Sequence, residues 1–81
     1  MKEKTSSMQV GGDHYKKNGI EPVEYIHANG LDFFEGNCVK YVTRHRHKNK
    51  DEDIKKLIHY ATYILKYEYG YTEEEIKNIL K

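Results

Sequence analysis

The sequence predicts an all-α domain of three to four helices. Three observations carry that expectation. A stripe of Ile54, Leu57, Ile58, Ala61, Ile64 and Leu65 recurs at helical spacing. Two capping-box pairs, Asp32 with Glu35 and Thr72 with Glu75, each precede an apolar-periodic run. No segment of useful length alternates apolar and polar residues as a half-buried strand would.

Residues 1–10 are polar, lack apolar periodicity and read as a flexible tail; residues 11–81 form the single expected domain. Gly11-Gly12-Asp13-His14-Tyr15 and Lys16-Lys17-Asn18-Gly19 are turn-forming, so an ordered N-terminal loop is expected ahead of the helices. Pro22 suits a first helical position, because the N–H it lacks would have no intrahelical partner there. Asn29-Gly30 ends that helix. The second helix is capped by Asp32 and runs to about His47, with Phe34, Cys38, Tyr41, Val42 and His45 on its core face. After the turn Lys48-Asn49-Lys50, Asp51 is the expected cap of a third helix, which Gly70 terminates. Thr72 opens a short last helix carrying Ile76, Ile79 and Leu80.

With 81 residues, 37% of them hydrophobic and 33% charged, the core must be thin, and a homo-oligomer is the expected way to bury more apolar surface. A lone cysteine, Cys38, excludes an internal disulfide framework and reads as a small core hydrophobe. Net charge is only +1, so any anion site must be local rather than a property of the whole surface. No apolar run approaches the roughly 20 residues that span a bilayer, and no signal-peptide pattern opens the chain. The expectation is a cytoplasmic protein with no membrane partner.

The second helix brings Phe33, Asn37, Lys40 and Arg44 onto one side, beside the core face. Lysine supplies a point charge and arginine a planar fork, the two donor types that hold phosphate oxygens. Asn37 can read a neutral edge, and Gly36 admits a close backbone or ligand at a cost of roughly 1 kcal/mol in helix propensity. The same spacing also fits a solvated face with a packing glycine. Tyr60, Tyr63 and Tyr67, followed by Tyr69 and Tyr71, suit interface packing or stacking on bases. Gly11-Gly12 could offer backbone N–H groups to an anion, with His14, Tyr15, Lys16 and Lys17 as further donors, although an ordinary loop has the same composition. There is no Walker A spacing.

The five histidines do not form the spacing of a zinc site, and nothing calls for a metal or a cofactor. No serine sits in a nucleophile elbow, and Cys38 falls mid-helix on the apolar side, where a thiol is inert. No spacing asks Asp13, Glu35 or Asp53 for acid–base chemistry.

Taken together, Gly12-Asp13-His14-Tyr15, Ile20-Glu21-Pro22-Val23-Glu24-Tyr25-Ile26, Glu35-Gly36-Asn37-Cys38-Val39-Lys40-Tyr41-Val42-Thr43-Arg44, Asp53-Ile54-Lys55-Lys56 and Tyr60 resemble the SaV-like family of small bacteriophage proteins. The resemblance covers roughly Gly11 to Tyr67. The same pattern is similar to the C-terminal part of the nucleoside monophosphate kinase of T-odd coliphages, whose long N-terminal region has no counterpart here. The resemblance implies action in the cytoplasm of an infected host and a nucleotide or cyclic nucleotide as ligand. It implies His14, Tyr15, Asn37, Lys40, Tyr41 and Arg44 as ligand contacts.

Three functions are therefore expected in descending order. The first is a nucleotide-binding protein, by analogy a sponge that sequesters a host immune nucleotide signal. The second is a nucleoside monophosphate kinase, in which positioning and electrostatics do most of the work. The third is a nucleic-acid or protein adaptor using Arg44-His45-Arg46-His47-Lys48, against which the near-neutral charge and the lack of a reading motif both argue.

Overall fold

The computed structural model describes residues 19–81, and over that span it is a small helical domain without strands. Four α-helices follow in order: α1 Pro22–Ala28, α2 Phe33–Arg44, α3 Asp51–Tyr69 and α4 Glu73–Leu80, with a 3-10 turn, His45–His47, between α2 and α3. The frayed tail and the Gly11-Gly12 loop expected from the sequence lie outside the described residues.

Local chemistry explains the boundaries. Pro22 opens α1, where Glu21 and Glu24 form a capping box that the sequence reading missed. At α2 the Asp32 carboxylate accepts the Glu35 N–H at 2.8 Å, and the Glu35 carboxylate accepts the Asp32 N–H at 2.9 Å. Thr72 and Glu75 repeat the arrangement at α4. Gly70 closes α3 at φ +74°, a backbone conformation in which a Cβ would be strained.

Two expected boundaries are corrected. The second helix does not run regularly to His47; it tightens to a 3-10 turn after Arg44. Asp51 is not a cap but the first residue of α3, and the cap position belongs to Lys50. Its φ and ψ of 55° and −126° lie where glycine is favoured. The ammonium of Lys50 donates to the Arg46 carbonyl at 2.7 Å across this turn.

α2 and α3 form an antiparallel hairpin, as three cross-contacts establish: Arg44 meets Asp53, Tyr41 meets Tyr60, and Phe34 meets Tyr67. Its seam is aromatic. Phe34 stacks on Tyr67 with ring centroids 5.6 Å apart, Tyr41 stacks on Tyr60 at 5.9 Å, and Tyr63 packs on Phe34 at 5.2 Å. Tyr60, Tyr63 and Tyr67 thus make ring contacts along the seam, whereas Tyr69 is exposed. α1 crosses α2 at Gly36, where an added Cβ would meet Ile26 Cγ2 at 3.2 Å. α4 is tied to α3 by Lys66 Nζ, 3.1 Å from Glu73 Oε2.

The core is as thin as the composition requires. Among the described residues only Glu21, Gly36, Tyr41 and Asp53 are buried, so Tyr41 is the single large hydrophobic side chain in the core. Val42, expected on the core face, is 50% exposed, and Ile58 is 41% exposed. The apolar stripe of α3 is wider than α2 can cover: Leu57 lies at the seam, where its carbonyl accepts the Cys38 thiol at 3.7 Å, while Ile58 faces away from it. No helix among the described residues is long and apolar enough to cross a membrane.

Candidate anion-binding site

The site grows from the buried carboxylate of Asp53, which is 0% exposed. Burying a carboxylate is costly unless its oxygens are satisfied. Here Arg44 Nε donates to Oδ2 and Nη2 to Oδ1, both at 3.1 Å, while the Asn49 backbone N–H donates to Oδ2 at 3.3 Å. The bidentate guanidinium bond is the main reason that the Asp53 carboxyl is held below its ordinary range, against the opposing effect of burial. The pair locks the end of α2 to the start of α3 and consumes the charge of Arg44.

Above this pair stands the Tyr41 ring, surrounded by cations. Arg44 Cζ lies 4.8 Å from its centroid, Lys40 Nζ 4.9 Å and Lys56 Nζ 5.5 Å. Lys40 comes from α2 and Lys56 from α3, and neither has a carboxylate partner among the described residues. Three cations therefore share one ring, and among the described residues the one carboxylate paired with any of them is Asp53. The excess positive charge sits on the two lysines, an arrangement that an anion relieves.

Next to Lys40 opens a groove of about 300 Å³ between α1 and α2, lined by Ile26, Leu31, Asp32, Phe33, Gly36, Asn37 and Lys40. Gly36 lines it, and a Cβ there would stand 3.2 Å from Ile26 Cγ2, which would have to give way. The groove is charged at both ends, with Asn37 as the one polar side chain among the apolar residues between. Lys40 stands at one end and Asp32 at the other, eight residues or roughly 12 Å along the helix. Phe33 is 69% exposed and forms part of the wall, held from behind by edge contacts with Phe34 and Tyr60. The Asn37 amide N–H donates back to the Phe33 carbonyl at 2.8 Å, which leaves its Oδ1 as the group available to a ligand.

The structure thus brings Asn37, Lys40, Tyr41 and Arg44 to one region, as the helical spacing requires, and divides their roles. Arg44 differs from Lys40 in that Asp53 accepts two of its N–H groups. Tyr41 is too deeply buried to stack on a base, and its ring instead gathers the cations. His14 and Tyr15 fall outside the described residues. The sequence reading missed Lys56 as a site residue, since only the pairing of the two helices reveals which side of α3 meets Tyr41. Cys38 is half-buried; burial, and then the negative charges of Asp32 and Glu35, push its thiol above the ordinary value, as expected of an inert side chain. Among the described residues no group of three or more His, Cys, Asp or Glu side chains is placed to hold a metal ion.

A small helical domain with a local cationic cluster beside an apolar groove is the class that fold and site define. The chain belongs to the DUF3310 family, described as proteins of unknown function, whose profile matches residues 9–62. That range contains the groove, both lysines and the Arg44–Asp53 pair. No curated protein and no solved structure matches the chain.

Proposed function

We propose that this protein binds a nucleotide or cyclic nucleotide, with the phosphate on Lys40 and Lys56 and the base in the groove against Phe33. The observation that supports this reading is the pair of lysines over one ring, without carboxylate partners among the described residues, beside an apolar wall. Inorganic phosphate would engage the cations alone. A nucleotide also covers Phe33, Ile26 and Leu31, and places donor groups of its base near Asn37 Oδ1 and Asp32. The polarity of the groove sets the direction, since Asp32 repels phosphate from the far end.

The resemblance to SaV-like phage proteins agrees with this reading, and it extends the proposal to a role in the infected host cell: sequestering a nucleotide immune signal. A sponge needs affinity and slow release but no chemistry. Native mass spectrometry of protein purified from a nucleotide-supplied extract, followed by denaturing release, tests the proposal. An intact nucleotide recovered in stoichiometric amount supports a binder. A converted nucleotide would indicate phosphoryl transfer, and protein that emerges empty from every extract would contradict the proposal.

A further inference from the structure

The α2–α3 hairpin has two unlike faces. On α2, Phe33, Asn37 and Lys40 point into the groove, while Val42 lies on the opposite flank. On α3, Lys56 and Tyr60 serve the groove side, whereas Ile54, Ile58, Ala61 and Leu65 lie about 150° further round the helix, spaced four, three and four residues apart. Because the helices run antiparallel, these two flanks fall on the same side of the hairpin. The result is an aliphatic face, Val42 with Ile54, Ile58, Ala61 and Leu65, bordered on the α2 side by Glu35, seven residues before Val42, and Arg46, four after it. Each of these residues is half-buried or exposed.

We propose that a second copy of this chain covers the face, so that two hairpins form a four-helix bundle with the two anion sites turned outward. The chain's own N-terminal segment is a poor cover. Residues 1–18 carry Met1, Met8, Val10 and Tyr15 as their only large apolar side chains, among Lys2, Glu3, Lys4, Asp13, Lys16 and Lys17. An identical aliphatic face is the better match, and twofold symmetry brings it onto itself. The four-three-four spacing is that of a helix–helix seam, with Ala61 allowing close approach near its middle. The dimensions suit it as well: two helices each about 10 Å wide and roughly 18 and 28 Å long present a flat area of roughly 500 Å². That is the scale of a small interface, below the about 800 Å² per partner of a standard one. This inference does not depend on what the lysines bind.

Sedimentation of the full-length protein at micromolar concentration, together with cysteine crosslinking, tests it. Twice the 9.6 kDa chain mass is expected, and Ile58→Glu should weaken the dimer at least tenfold. Should Ile58→Glu fail to fold, crosslinking still decides. In a Cys38→Ser background, Ala61→Cys or Ile58→Cys should give a disulfide dimer on mild oxidation, while His59→Cys, on the other face, should not. A monomer at 100 µM would overturn the proposal, whether hydrogen exchange shows the face protected by the chain's own N-terminus or open. Crosslinking at His59→Cys alone would overturn it too.

Discussion

Arg44 and Asp53, nine residues apart and on different helices, form a two-pronged ion pair whose carboxylate is wholly enclosed. The pair ties the end of α2 to the start of α3 through Nε and Nη2 of the guanidinium. Removing one partner of a buried pair strands the other in a site from which water is excluded. Arg44→Ala and Asp53→Asn should each lower the melting temperature by on the order of 10 °C. Thermal unfolding followed by circular dichroism checks this; a change of less than 2 °C for both would show that the pair is dispensable.

The same pair sets the acid limb of stability. Asp53 is held below its ordinary value of 3.8, chiefly by the Arg44 bonds. A depressed carboxyl contributes stability that is fully present above the unfolded value and is lost as pH falls through the lower, folded one. Wild type should therefore lose stability below about pH 4, and Asp53→Asn should start less stable but fall less steeply over that range. Urea midpoints measured from pH 2.5 to 7 separate the two curves, and parallel curves would refute the assignment.

Lys50 holds a backbone conformation that suits glycine, at a cost of about 1–3 kcal/mol. Lys50→Gly removes the strain and gives up one exposed bond from Nζ to the Arg46 carbonyl. A net gain of about 1 kcal/mol is expected in denaturant titrations, without loss of ligand binding. Destabilisation would mean that the ammonium matters more than the backbone.

Gly36 spaces α1 from α2, with Ile26 Cγ2 3.2 Å from where a Cβ would stand. Gly36→Leu should overpack this crossing by about 1–3 kcal/mol and close the groove. Nucleotide affinity should fall far more than affinity for inorganic phosphate, because the lysines remain. Equal losses for both ligands would place the base elsewhere.

Much of the fold was legible because it is locally encoded. Pro22, the Asp32–Glu35 and Thr72–Glu75 boxes and Gly70 each act within one helical turn, and each stands where the sequence placed it. The departures are non-local. Asp51 looks like a cap, but Lys50 takes that position in a strained turn, and the nearby Asp53 accepts the Asn49 N–H. The Arg44–Asp53 pair and the approach of Lys56 to Tyr41 depend on how two helices register, which spacing along either helix cannot reveal. The stripe on α2 placed Asn37 and Lys40 on one side of the helix, where both line the groove, yet it could not show the pairing of Arg44 with Asp53.

The central claim is that Lys40 and Lys56, rather than Lys40 and Arg44, hold the phosphate. Titration calorimetry of the wild-type protein and its lysine variants across a panel of nucleotides and cyclic nucleotides measures it most directly. Lys40→Ala and Lys56→Ala should each weaken binding about tenfold, or about 1.4 kcal/mol, with melting temperatures unchanged, and the double variant should bind nothing measurable. Undiminished affinity in the folded double variant, or a wild-type protein that takes up no member of the panel, would contradict the account.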